Sequence, residues 1–160
     1  YTSDHIASYG SQLVEVLLTL AVSQMIGSLL STFIFRESDM YSIKLVISFL
    51  FMVVLPFMMK GTTVGGKIIK LTIRLPEKKP ITSLIYRFIL IFTPSLVSRL
   101  GQSIYDFYSE NIYMILFQLL YSLIVYFVWA SFLFMIIRDW INKKDVVFFN
   151  HLSRIIFIRK

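Results

Sequence analysis

Few side chains in this sequence have the type and spacing needed for catalysis or metal binding. Cysteine is absent, and the two histidines, His5 and His151, lie at opposite ends of the 160-residue chain. Neither histidine has a second ligand at helical spacing, so we expect no metal site. Serine and threonine are frequent, but no histidine or carboxylate is placed to activate one as a nucleophile. The sequence therefore predicts neither an enzyme nor a bound cofactor.

The segment GTTVGGK, residues 61–67, has the G-x-x-x-x-G-K spacing of loops that hold nucleotide phosphates. The following residue is Ile68, whereas such loops need a serine or threonine there to bind Mg²⁺. An apolar segment of membrane-helix character also precedes the loop, where a core strand would be required. We interpret the segment as a glycine-rich turn leading into a strand.

Two charged residues, Glu15 and Arg87, lie beside long apolar runs, where an unpaired charge is expensive in lipid. The interpretation that we favour is a structural ion pair between them. Two alternatives stay open: Glu15 carries a proton or cation as part of a transport site, or it is simply exposed at the membrane interface.

The composition indicates that lipid is the solvent for much of the chain. Hydrophobic residues make up 57% and the mean hydropathy is +0.75, against roughly 45–50% apolar residues in a soluble domain. Apolar runs predict helices over about 11–35, 42–60, 82–105 and 112–138. The third run contains Pro94 and Arg99, so a broken or interfacial helix is an alternative to a full span there. The predicted fold class is an all-α transmembrane bundle of four helices, one membrane domain over 1–160, with a short cytoplasmic β-like element.

Positive charge is concentrated in two segments. Residues 60–81 and 138–160 each contain six of the 16 Lys and Arg residues, and the formal net charge is +7. If the third helix spans the membrane, both segments and both termini lie on one side, and the positive-inside rule makes that side cytoplasmic. We therefore expect the basic residues to face lipid headgroups of a cell membrane, and we expect no nucleic-acid partner.

Two short segments alternate between apolar and polar residues. KIIKLTIRL, residues 67–75, predicts a strand, and SRIIFIR, residues 153–159, predicts a second one that pairs with it. The alternative is a C-terminal tail lying along anionic headgroups.

Small residues recur at four-residue spacing in the first helix, at Ser23, Gly27 and Ser31. Such a stripe lets another helix approach closely. The neighbouring helix belongs either to this chain or to a partner subunit.

The central segment, with the helices around it, resembles the RDD family of small bacterial and archaeal membrane proteins. Gly61, Thr63 and Gly65 match the family's G-x-T-x-G-K signature, Lys67 comes one residue late, and Arg87 matches the arginine of the next helix. The tail FFNHLSRIIFI is similar to the closing segment of the family.

The chain departs from that family at the positions that give it its name. The first helix carries Glu15 as its only acid, and Phe149 and Asn150 replace the family's final His-Asp. The resemblance implies a membrane module, with cation/proton exchange proposed for some members.

From the sequence we predict a multi-pass protein of a bacterial cell membrane: a non-enzymatic accessory or structural subunit that docks with other membrane proteins or with copies of itself. The alternative is a cation/proton antiporter or similar small transporter that uses Glu15.

Overall fold

The computed structural model describes residues 5–37, 39–75, 78–107 and 112–159. Within these residues four helical segments are long and apolar enough to cross a membrane: Tyr9–Phe33, Met40–Met58, Pro80–Asp106 and Ile112–Ile141. The predicted all-α fold with four membrane-length helices is confirmed, and each segment lies within about three residues of its expected bounds. The chain has the architecture of a multi-pass membrane protein.

The first two long helices pack against each other. α1 (Tyr9–Phe33) begins after Ser8, whose side chain accepts a hydrogen bond from the backbone N–H of Ser11. α2 (Met40–Phe49) continues through one π-helical turn, Leu50–Val54, into α3 (Leu55–Met58). Because Pro56 has no N–H and its ring needs extra space, a wider turn directly before it keeps the segment helical.

The glycine-rich segment forms a helix, which corrects the expected turn. Thr63 caps the short helix α4 (Val64–Ile69), and Lys70 ends it in a left-handed conformation at φ 62°. Only then does strand β2 (Leu71–Arg74) begin. The strand predicted over residues 67–75 is therefore correct in its second half and wrong in its first, because the threonine cap starts a helix that the alternating pattern does not reveal.

The third long helix, α5 (Pro80–Phe107), is continuous through Pro94. The alternative of a broken helix is therefore wrong: a proline removes one backbone hydrogen bond, and the rest of a 28-residue helix is long enough to tolerate it. α6 (Ile112–Ile141) is the longest helix of the described chain, at 30 residues.

A small antiparallel sheet joins three distant parts of the chain. β3 (Ile156–Arg159) follows the short helix α7 (Phe148–Leu152) and pairs with β2, placing Thr72 opposite Ile158. The predicted pairing of these two strands is confirmed. On its other edge β3 pairs with β1 (His5–Ile6), a strand that no pattern in the sequence predicted.

The chain divides into two compact units. The first comprises Tyr1–Phe88 with Lys144–Lys160, and so contains α1 to α4, the start of α5, α7 and the sheet. The second is Ile89–Lys143, the rest of α5 with α6. A single membrane domain over 1–160 stays a prediction.

Candidate functional site: a buried polar cluster

Helix α1 buries most of its polar residues, whereas several of its large apolar residues are exposed. Four polar side chains are at most 1% exposed, whereas Leu17 is 65% and Met25 66% exposed. The four buried residues, spaced by three or four positions, share one face of the helix: Gln12, Glu15, Thr19 and Ser23. This inversion of the soluble pattern fits a helix whose outer surface contacts lipid.

Glu15 and Arg87 lie together at the centre of this face. Arg87 Nη2 donates to Glu15 Oε2 at 2.8 Å, and the two side chains are 1% and 0% exposed. Arg87 Nε donates to Asn150 Oδ1 at 2.6 Å, and the guanidinium carbon lies 5.0 Å from the ring centroid of Phe157. The cation is thus held by a carboxylate, an amide and an aromatic face, arrangements that stabilise a buried charge.

Two threonines complete the carboxylate's hydrogen bonds. Thr63 Oγ1 donates to Glu15 Oε1 at 2.6 Å, and Thr19 Oγ1 donates to the same oxygen at 3.1 Å. Each hydroxyl in turn accepts a backbone N–H from the first turn of α4: Gly66 N to Thr63 and Gly65 N to Thr19. The carboxylate is therefore coupled through two hydroxyls to the positive end of this short helix.

Glycine is required in this segment because its backbone lies directly against the backbone of other elements. A Cβ on Gly65 would lie 2.2 Å from the backbone oxygen of Glu15, and Gly61, at φ 99°, leaves no space for a Cβ beside Ile73. The N–H groups of Gly65 and Gly66, which a phosphate-binding loop would offer to a nucleotide, are already used inside the protein. Lys67 is exposed and is not among the hydrogen-bonding partners of Glu15 or Arg87.

Gln12 joins the ion pair to both ends of the chain. Its amide nitrogen donates to the backbone oxygens of Ala7 and Asp145, at 3.0 and 2.8 Å. Its oxygen accepts from Asn150 Nδ2 at 3.0 Å and from Val147 N at 3.2 Å. The amide thereby makes four hydrogen bonds and fixes the C-terminal tail against the start of α1.

The small-residue stripe of α1 packs within the chain. Ser23 Oγ lies 3.2 Å from Ser48 Oγ of α2, and Gln24 Nε2 donates to Ser48 at 3.0 Å. A Cβ on Gly27 would lie 3.0 Å from the Cα of Lys44, and Ser31, further along the stripe, is also buried. Of the two alternatives, contact with another helix of the same chain is the one observed.

The second unit has a polar groove of its own. Tyr121 Oη donates to the backbone oxygen of Val97 at 2.6 Å, and its ring packs on Gly101. Beside this contact lies a cavity of about 320 Å³, lined by amide, hydroxyl and aromatic side chains that include Gln102, Gln118 and Trp129.

Sequence patterns pointed to Glu15, Thr63 and Arg87, but not to Gln12, Thr19 or the bridging role of Asn150. The spacing of Gln12, Glu15 and Thr19 on one helix face was the available signal.

In the part of the chain that the structure describes, every buried side-chain nitrogen and oxygen has a hydrogen-bond partner, and no cluster of acids and histidines could hold a metal ion. The cluster is therefore buried and fully hydrogen-bonded.

Comparison with known proteins leaves the RDD resemblance as an expectation. No protein-family model matches the chain, and neither a curated protein nor a solved structure shows significant similarity to it.

Proposed function

We propose that this chain is an RDD-like multi-pass protein of a bacterial cell membrane that acts as a non-enzymatic accessory or structural subunit and docks with partner membrane proteins. The observation that supports this role best is the sealed pair of Glu15 and Arg87. Glu15 belongs to α1 and Arg87 to α5, and their three further hydrogen-bonding neighbours are Thr19 of α1, Thr63 of the central segment and Asn150 of the tail, so the pair ties the parts of the first unit together.

The state of the carboxylate favours a structural role over transport. A carrier must exchange its proton or cation with water, whereas Glu15 is 0% exposed and bonded to Arg87, Thr19 and Thr63. Breaking a buried pair leaves an uncompensated charge, so the arrangement resists opening. One observation favours the transporter alternative: the carboxylate of Glu15 and the hydroxyls of Thr19 and Thr63 lie together at a candidate membrane span.

The sheet supports the proposed topology. Open strands do not cross the hydrocarbon region of a bilayer, so β1, β2 and β3 lie on the same side of it. Two candidate spans separate β1 from β2, and α5 and α6 separate β2 from β3. If α6 spans the membrane, α5 must also span it, and the basic segments 60–81 and 138–160 then share the cytoplasmic side.

Helix α6 supplies the surface for docking. None of its most apolar 18-residue window is buried within the chain, and its exposed side chains include Leu116, Leu119, Leu123 and Phe127. These residues recur at helical spacing, so they form one apolar face that can meet lipid or a helix of a partner subunit.

Reconstitution distinguishes the two functions. We expect liposomes that contain only the wild-type chain to show no more cation or proton flux than empty liposomes, measured with a pH-sensitive dye. We expect Glu15→Gln to lower the melting temperature in mild detergent, and the wild-type chain to co-purify with a stoichiometric membrane partner. Flux that Glu15→Gln abolishes while the fold is retained would establish the transporter instead.

Single-cysteine labelling tests the topology, since residues 1–160 contain no cysteine. Lys78→Cys and Lys143→Cys should both react with an impermeant maleimide only from the cytoplasmic side. Met40→Cys, at the outer end of the second span, should react only from outside. Labelling of residues 78 and 143 from opposite sides contradicts the four-span arrangement.

A further inference from the structure

A basic cavity lies where the first turns of α5 meet the end of α7. Its volume is about 460 Å³, within the roughly 300–1,000 Å³ of small-molecule sites. Three cations line it together with hydroxyl and apolar side chains: Lys78, Lys79 and Arg154, with Thr82, Ser83, Ser153, Tyr86 and Leu152. All of these residues belong to the first unit, and none takes part in the Glu15–Arg87 contact.

We propose that this cavity binds a phosphate group. The described residues that line it include three cations and no carboxylate, and none of the three makes an ion pair within the described chain. The hydroxyls of Thr82 and Ser83 likewise make no hydrogen bond to any described residue, so they are available as donors. Lysine, arginine and hydroxyl side chains around one space are the groups that recognise phosphate oxygens.

The walls of the cavity also carry apolar surface. Tyr86 is 47% and Leu152 is 53% exposed, and both lie beside the cations. A phospholipid offers a phosphate to the cations and glycerol and acyl groups to these two side chains, whereas a free phosphate would use only the polar wall. Basic pockets at the ends of membrane helices bind anionic headgroups in this way.

The buried cluster fixes the cavity's shape. Asn150 of α7 accepts from Arg87 at 2.6 Å, next to Tyr86, and Ser153 Oγ donates to the backbone oxygens of Phe149 and Asn150. The two walls are therefore joined through buried hydrogen bonds before any ligand arrives. Such preorganisation lowers the entropic penalty of binding.

The experiment compares two charge-matched double variants. Lys79→Gln with Arg154→Gln removes two cations of the cavity, and Lys70→Gln with Lys143→Gln removes two exposed cations elsewhere. All four residues have left-handed backbones, at φ between 54° and 62°, so strain from the substitution is matched. Binding is measured as retention of phosphatidylglycerol over phosphatidylcholine by native mass spectrometry after release from nanodiscs, and as ³¹P chemical-shift titration with inorganic phosphate in neutral detergent.

We expect the cavity variant to lower the binding affinity about thirtyfold and the control variant less than about threefold. The estimate assigns to each of the two removed cations one charge interaction with the headgroup. Thr82→Val with Ser83→Ala, which leaves the charge unchanged, should lower binding about tenfold. Equal losses in both charge variants, or no retention and no phosphate shift in the wild type, would overturn the proposal.

The two measurements also identify the source of the phosphate. Lipid retention without saturable inorganic phosphate binding assigns a lipid headgroup, and saturable phosphate binding that depends on Lys79 and Arg154 assigns a soluble phosphate. The lipid result rests on the proposed membrane placement. The titration in detergent does not, so it tests the cavity even if the proposed subunit role or topology fails.

Discussion

Helices α1 and α6 are similar in length and apolarity, but α1 buries one of its faces within the chain and the most apolar window of α6 buries none of its residues. The candidate spans have 25 and 30 residues and hydropathies of 1.9 and 2.2, yet 28% of the α1 window is buried and none of the α6 window. Most of what α1 buries is polar or small: Gln12, Glu15, Thr19, Ser23, Gly27 and Ser31. Two helices with almost the same hydropathy therefore have different roles, and the difference lies in where their few polar residues point.

The physical reason is the solvent. In lipid an apolar side chain gains little from burial, whereas a polar side chain that is left in hydrocarbon has no partner. Polar and small residues therefore select the helix face that packs. On this basis, changes in the α1 cluster should be costly, and matched changes on α6 should be nearly neutral.

The largest expected effect comes from Arg87→Met. It leaves the carboxylate of Glu15 buried without its cation, and we expect a loss of about 3–5 kcal/mol in the free energy of unfolding. Unfolding by denaturant in detergent micelles measures it. Adding Glu15→Gln should restore part of the stability, since the uncompensated charge is then removed.

Arg99→Met, on the same helix but in the second unit, is the control for that prediction. We expect it to destabilise the protein by less than about 1 kcal/mol, the value typical of a partly exposed charge. If Arg99→Met and Arg87→Met were equally harmful, the contrast between the two regions would not hold.

Two leucines provide the next comparison. Leu84 is fully buried and Leu123, on α6, is 66% exposed. Leu84→Ala leaves a cavity and should lower stability by about 2–4 kcal/mol, whereas Leu123→Ala should change it by less than about 0.5 kcal/mol. Melting temperatures in the same detergent compare the two variants, and a large loss from Leu123→Ala would show that α6 packs within the chain.

Glycine substitutions test how closely α4 must approach α1. Gly65→Ala would place its Cβ against the backbone oxygen of Glu15, and we expect a loss of about 1–3 kcal/mol. Gly10→Ala meets no atom within 4 Å and should stay within about 0.5 kcal/mol of the wild type. Equal unfolding free energies for both variants would show that the close contact is unimportant.

The smallest expected effect is the difference in stability between variants of two glutamines, Gln24 and Gln118. Gln24→Leu removes the hydrogen bond to Ser48 and should destabilise by about 0.6 kcal/mol, the average for hydrogen bonds between membrane helices. Gln118→Leu changes an exposed amide on α6 and should leave stability unchanged or raise it. Replicate unfolding curves resolve this difference, and a loss from Gln118→Leu alone would reverse the expected order.

Features of the fold that depend on neighbouring residues could be predicted from the sequence, and features that depend on a single residue or a very short segment could not. Helix lengths and the two strands at residues 71–74 and 156–159 follow from runs and alternation within a few neighbours. The helical start at Thr63 depends on one threonine cap. The strand at His5–Ile6 is too short for alternation to reveal it.

The sequence alone determined four helices that are long and apolar enough to cross a membrane and a stripe of small residues on one face of the first, because hydropathy and helical spacing are properties of neighbouring residues. Only the tertiary structure decided the other contacts of the cluster: Glu15 finds Thr63, 48 positions away, and Gln12 finds Asn150, 138 positions away. Such contacts depend on how the whole chain returns to the start of α1, and no local pattern specifies that return.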